Sequence, residues 1–158
     1  DVRGLGLTGY QAAEWLRDRY AVAVGSADSC RIGAQITHGD DEESEARLLE
    51  SLTALVQRRA EPEPAPPVAL PRPGGLELQT VMLPRDAFFG TTEQVCRRDA
   101  VGRVAAEILT PYPPGVPAVA PGEVITAQVL DYLATGVAAG MLVPDAVDSS
   151  LATLRVVA

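Results

Sequence analysis

Few side chains in this 158-residue sequence could do chemistry on their own. His38 is the single histidine, so any serine or cysteine nucleophile activated by an imidazole would have to use it, with Asp40 or Asp41 as the orienting acid. The plainer reading of His38 is a surface residue at the end of a strand. Cys30 and Cys96, even with that imidazole, fall short of the four ligands of an ordinary structural zinc site and make no disulfide framework. They read as small core or strand residues in a reduced setting. The acidic run Asp40-Asp41-Glu42-Glu43-Ser44-Glu45 lacks the Gly-then-Glu pattern of a calcium loop. It is better explained as the start of a helix, where the macrodipole favours carboxylates by about 0.3 to 1 kcal/mol each. Gly4-Leu5-Gly6-Leu7-Thr8-Gly9 spells G-x-G-x-x-G, yet no apolar strand precedes it in this chain, so a simple turn into a helix is the better account.

Two features stand apart. The chain has no lysine, so it cannot form an imine to a carbonyl compound. The stretch Pro111-Tyr112-Pro113-Pro114-Gly115-Val116-Pro117 cannot be helix interior or central strand, because each proline lacks a donor and fixes its own φ. It is expected to be a rigid loop presenting a tyrosine, and either packing or the wall of a pocket would use such a loop. Phe88-Phe89 is expected to be a core anchor, with a ligand-facing edge as second reading.

The elements that must hold these residues follow from periodicity. Thr8 can cap a helix over Gly9 to Arg19, with Ala12, Trp15, Leu16 and Arg19 at helical spacing. Strands are expected at Tyr20 to Val24 and at Cys30 to Thr37, where Ile32, Ala34 and Ile36 alternate with Arg31, Gly33 and Gln35. A helix from about Glu42 to Arg58 carries the stripe Ala46, Leu49, Leu52, Leu55 and Val56. The organisation is then residues 1–60 as a small α/β unit of order helix, strand, strand, helix, residues 61–75 as a Pro-rich linker, and residues 76–158 as a mixed α+β domain. A unit that small is expected to need a partner surface. In the last part, strands are expected at Leu76 to Met82 and Leu151 to Val157. Helices are expected at Asp99 to Leu109 and from about Glu123 to Gly136, the second burying Val124, Ile125, Val129, Leu130 and Leu133.

With 47% hydrophobic residues the chain can build a core, and a net charge of −8 argues against nucleic acid or an anionic membrane as partner. No apolar stretch reaches the roughly 18 to 20 residues that cross a bilayer, and no basic-then-apolar signal opens the sequence. A cytoplasmic location is expected. Asp1 in place of an initiator Met suggests a processed or trimmed chain or a fragment.

The later motifs resemble a known family. Met82-Leu83-Pro84-Arg85-Asp86-Ala87-Phe88-Phe89, Ala100-Val101-Gly102-Arg103-Val104-Ala105-Ala106-Glu107, the Pro111 to Pro117 loop and Pro121-Gly122-Glu123 stand in the order and at the spacing of the C-terminal domain of the ornithine/lysine/arginine decarboxylases. Leu7-Thr8-Gly9, Ala27-Asp28 and Gly39-Asp40 are similar, more loosely, to the end of the small domain in the same enzymes. The resemblance implies a fold-type I, pyridoxal-phosphate-dependent decarboxylase of polyamine and basic amino-acid metabolism, whose cofactor sits on a lysine in an upstream large domain. This chain would then bind no cofactor, hold no catalytic residue or metal, and be inactive alone. Its partners would be that upstream domain and, in at least a homodimer, a second subunit. Tyr112, Pro114, Gly115 and Glu123 would line the active-site entrance. Family members usually carry a glutamate where this sequence has Gly25, which implies weaker recognition of a basic substrate end. The rival reading is a non-catalytic oligomerisation or regulatory module derived from the family.

Overall fold

The first helix begins where its cap dictates. Thr8 Oγ1 accepts from the Gln11 N–H and Gln11 Oε1 accepts from the Thr8 N–H, both at 3.1 Å, a reciprocal capping box. Helix α1, Gly9–Tyr20, buries Ala12, Trp15 and Leu16, and Ala21 closes it in the left-handed region at φ 53. In this computed structural model, which describes residues 1–57, 65–72 and 74–158, the chain forms two compact units, Asp1–Pro66 and Pro67–Ala158. The division falls inside the Pro-rich stretch, and part of that stretch, with Arg58 at the end of the expected second helix, lies outside the described residues.

In the first unit, α1 packs on α2, Glu42–Gln57, through a core of Val2, Leu7, Ala12, Trp15, Leu16 and Leu55. The two strands expected between the helices shrink to a ribbon of β1, Ser26–Ala27, with β2, Ile32–Gly33, antiparallel. Tyr20 ends α1 and Ala21 caps it, and Val22 to Val24 and Ala34 to Thr37 have no ladder partner, so neither stretch is a strand. On α2 the expected stripe is only partly inward. Leu55 is buried, whereas Leu49 and Val56 are 66% and 55% exposed.

The second unit is α+β, as expected, but its elements differ. Residues 99–109 are not a helix. A short 3-10 turn at Arg97–Asp99 leads to Gly102 at φ 82, and Val104, Ala105 and Leu109 then pair as isolated bridges with Val124, Val156 and Val119. The helical spacing of Val101, Val104, Ala105 and Ile108 lost to β-branched residues that find cross-strand partners. Leu76 to Met82 keeps one bridge, Thr80 with Glu123, in place of a strand. Two elements escape the periodicity: α3, Pro84–Phe89, with Pro84 in its first turn, and β3, Thr92–Cys96. Helix α4 covers Ala127–Ala138, capped by Thr126. It buries Val129, Leu130 and Leu133 as expected, but Val124 and Ile125 lie before it in extended chain. Strand β4, Thr153–Val157, pairs antiparallel with β3 on one side and meets residues 104–106 on the other, so it is the centre of this small sheet. Leu109, Val119, Ile125, Val129, Leu133, Leu154 and Val156 fill the core against it.

Candidate functional site

The Pro111 to Pro117 loop is held at its base by the Leu109–Val119 bridge. Beyond that bridge its path is set by the prolines, with the Tyr112–Pro113 and Pro113–Pro114 peptides cis, and by two backbone bonds. The Tyr112 N–H donates to the Leu142 carbonyl at 2.9 Å, and the Gly115 N–H donates to the Pro111 carbonyl at 3.0 Å. Gly115 sits at φ 93, where only glycine is comfortable, and a Cβ there would lie 3.6 Å from the Tyr112 ring. The result is a fixed turn with its tyrosine half exposed, beside half-exposed Leu142 and with Pro114 also exposed. A phenol held this way offers a donor and acceptor on an apolar ring without a large ordering cost.

Glu123 does a different job. Its Oε2 accepts from the Ala120 N–H at 2.8 Å and its backbone carbonyl accepts from the Ala105 N–H at 2.8 Å, so its carboxylate closes the Ala120 to Glu123 turn. Gly122 lets that turn touch the Met82 segment. Its carbonyl accepts from the Val81 and Met82 N–H groups, and a Cβ on it would stand 2.2 Å from the Met82 carbonyl oxygen. The structure therefore holds Tyr112, Pro114 and Gly115 in one loop and gives Glu123 to a separate turn, Ala120 to Glu123.

Three further polar side chains went unrecognised in the sequence. Glu107 is buried and accepts from two backbone donors, Arg155 N–H at 2.6 Å and Val147 N–H at 2.7 Å, stapling β4 to the loop before it. Arg103 donates to Glu93 at 2.6 Å and to the Val157 carbonyl at 2.7 Å. Arg155 donates to the Phe88 carbonyl at 2.6 Å, and its guanidinium lies 5.0 Å from the Phe88 ring centre. Glu107 and Arg103 stand inside a quoted motif, but their backbone partners are 40 to 54 residues away, and only Glu93, ten residues before Arg103, is near in sequence. The two phenylalanines are no core anchor: Phe88 is 40% and Phe89 78% exposed, edge to face at 5.1 Å, and Ala87 alone of α3 is buried.

The remaining sequence candidates resolve into structure. His38 lies exposed in a turn in which Asp40 accepts from the Thr37 N–H and hydroxyl, while Asp41 accepts from the N–H and hydroxyl of Ser44. Asp40 is spent on that turn and Asp41 on the start of α2. The Ser44 hydroxyl and N–H hold the Asp41 carboxyl below its usual range. Of the glycines in the G-x-G-x-x-G string only Gly9, the first residue of α1, serves close approach, since a Cβ on it would overlap the Arg31 carbonyl oxygen at 1.9 Å, whereas a Cβ on Gly4 or Gly6 would meet nothing within 4 Å. Asp28 loses some hydration, but the N–H groups of Cys30 and Arg31, both at 2.7 Å, outweigh that and lower its pKa. Cys30 is half buried and Cys96 exposed, both free. Among the described residues no group of three His, Cys, Asp or Glu could hold a metal ion, and no helix is long and apolar enough to cross a membrane. A shallow groove of about 420 Å³ in the first unit runs between residues 21–25, residues 34–36 and the first turns of α2, with Gly25 on its wall.

Comparison with known proteins agrees with the motif reading. Residues 76–144 match the family model described as Orn/Lys/Arg decarboxylase, C-terminal domain. The chain is 37% identical over 159 aligned residues to an arginine decarboxylase of Bacillus anthracis, covering 99% of this chain and 31% of that protein. It is 36% identical to one of Bacillus subtilis, covering 99% of this chain and 32% of that protein. The inducible lysine decarboxylase of Escherichia coli matches over 60 residues only, at 48%, covering 34% of this chain and 8% of that protein. The fold is also similar to the constitutive lysine decarboxylase of E. coli, with a TM-score of 0.61 at 20% identity, over 94% of this chain and 28% of that one. This chain thus spans about a third of the length of the curated relatives it matches throughout. Residues 76–144, with their four motifs in order and the α+β fold to match, are an Orn/Lys/Arg decarboxylase C-terminal domain.

Proposed function

We propose that this chain serves as the carboxy-terminal portion of a pyridoxal-phosphate-dependent decarboxylase of a basic amino acid, with arginine as the favoured substrate. The observation that carries the proposal is the similarity to arginine decarboxylases over almost the entire chain, against 60 residues for the inducible lysine enzyme of E. coli. The chain has no lysine, so the residues present do not fit covalent attachment of the cofactor and the bond-breaking step belongs to polypeptide elsewhere. What this chain contributes is shape. The Pro-fixed loop presents Tyr112 at the active-site entrance, with Pro114 and Gly115 setting its position and Glu123 bracing the separate Ala120 to Glu123 turn.

Gly25 bears on the substrate. A Cβ there would meet only the Gly33 carbonyl oxygen, at an ordinary 3.6 Å, so the missing side chain is a matter of sequence and not of space. Gly25→Glu is expected to fold normally and to raise the preference for arginine over shorter, uncharged amino acids.

The test is release of CO2 by the native protein, purified from its host and saturated with pyridoxal phosphate, on arginine, ornithine and lysine. Arginine turning over at the highest kcat/KM supports the proposal. No release from any of the three would sink it and leave the oligomerisation or regulatory reading. Tyr112→Ala in the same protein is expected to lower kcat/KM by about tenfold, on the order of 1.4 kcal/mol, with thermal unfolding unchanged.

A further inference from the structure

Helix α4 ends in a way that carries one leucine outward, opposite the tyrosine of the Pro-fixed loop. Gly140, at φ 97, turns the chain with its N–H on the Val137 carbonyl. The next residue locks the return path. The Met141 N–H donates to the Gly136 carbonyl at 2.9 Å, and the Met141 side chain lies so close over Gly136 that a Cβ there would collide with its sulfur and methyl. Met141 and Val143 are buried while Leu142 between them is half exposed, the alternation of an extended segment with one face in the core. The outward position of such a segment ordinarily carries a polar side chain. Leu142 instead stands directly opposite Tyr112 in an antiparallel bridge, held by the Tyr112 N–H on the Leu142 carbonyl at 2.9 Å. Directly opposed residues of an antiparallel pair send their side chains to the same face, with Cβ atoms roughly 4.5 to 5.5 Å apart. Tyr112 and Leu142 are each 50% exposed, so a phenol ring and an isobutyl group form one apolar surface open to solvent. A single exposed apolar residue needs no explanation, but here two are held side by side on fixed backbone.

We propose that Leu142 is a substrate-binding residue, which forms with the Tyr112 ring one apolar lip on which the methylene stem of the incoming basic amino acid packs. This inference rests on the decarboxylase reading above, which sets Tyr112 at the active-site entrance and gives Leu142 no part. A basic amino acid carries charge at both ends of an aliphatic stem. The charged ends keep their water or go to polar groups, and the stem alone gains by leaving water against apolar surface. Two neighbouring side chains cover such a stem where one would leave half of it wet. Both are held before the ligand arrives, Tyr112 by its prolines and Leu142 by the Met141 lock on α4, so little freedom is lost when the stem lands on them. Packing gives Leu142 no comparable account, because Met141 and Val143 already fill the core on either side of it. A contact with the stem is the same before and during bond breaking, and it therefore acts on binding and not on turnover.

The experiment is steady-state CO2 release from arginine by the full-length protein saturated with pyridoxal phosphate, as the parent and with Leu142→Ala or Leu142→Met. Leu142→Ala is expected to raise KM about fivefold with kcat unchanged, the mark of a contact shared by ground and transition states. Leu142→Met keeps an apolar side chain of similar volume and is expected to hold KM within about twofold of the parent. Thermal unfolding of both variants should match the parent, because a half-exposed side chain contributes little to the core. An active parent whose KM is unmoved by Leu142→Ala would overturn the inference and leave the decarboxylase reading standing. A lowered melting temperature at unchanged KM would overturn it as well, and show Leu142 covered by protein. A raised KM that Leu142→Met shares in full would do the same, since apolar cover alone would then not be what the residue supplies. A parent that releases no CO2 from arginine, ornithine or lysine would sink the decarboxylase reading, and this inference with it.

Discussion

Glu107 shows how one buried carboxylate can hold distant chain together. With one oxygen taken by a backbone donor in the final strand and the other by a donor in the loop before it, removal of the buried acid leaves two N–H groups without their acceptor. Glu107→Ala is expected to cost about 3 kcal/mol, while Glu107→Gln, which keeps one acceptor, should lose less; urea unfolding of both variants checks the order. Asp148 is a second case, solvated instead of buried. Its carboxyl, held first by the Ser150 hydroxyl and then by the Thr153 N–H, has a pKa lowered from 3.8 to about 2. A depressed acid stabilises the fold above its unfolded value and loses that contribution as pH falls through the folded one, so the window runs from about pH 4 down to about pH 2. Comparing acid unfolding of Asp148→Asn with the parent over that window should show a flatter dependence in the variant. A parallel pair of curves would contradict the assignment. Neither role can be read from composition, because each depends on which backbone amide arrives opposite the acid.

At the scale of elements, local chemistry decided the helix ends and long-range pairing decided the strands. Thr8 with Gln11 and Thr126 with Val129 are short-range signals, and α1 and α4 start where those caps place them. Thr8→Ala is expected to cost about 1 kcal/mol, measured by thermal unfolding. The Pro-Gly-Glu turn is a stricter element. Gly122 combines φ 90 with the Met82 carbonyl 2.2 Å from where a Cβ would stand, so Gly122→Ala should destabilise by about 2 kcal/mol or more, and Gly102→Ala, equally positive in φ but facing open space, by less. Equal losses would show that backbone strain alone matters there. Residues 99–109 mislead in sequence because Val104, Ala105 and Ile108 suit either period, and the choice is made by Val124, Val156 and Val119 elsewhere in the chain.

For the whole molecule, thirteen Arg, no Lys and a net charge of −8 leave little to hold a polyanion. The chain should pass unretained over immobilised DNA at physiological salt, and salt-dependent retention would reveal a basic patch that the averages hide. The family and the α+β class were legible in residue order, because three of the four motifs carry their own local geometry: Pro84 in the first turn of α3, prolines that fix the Tyr112 loop, glycines at Gly115 and Gly122 that no other residue could replace without strain. The rigid loop and its exposed tyrosine were readable for the same reason. Only the tertiary structure decided that Glu123 is a brace, that Glu107, Arg103 and Arg155 tie β3 and β4 to their neighbours, that Phe89 lies outside the core, and that Val22 to Val24 forms no strand ladder. Caps, prolines and glycines act through atoms within a few residues, so sequence specifies them. Strand pairing, burial and the partners of a carboxylate are set by segments tens of residues apart, and their outcome exists only once the chain has folded.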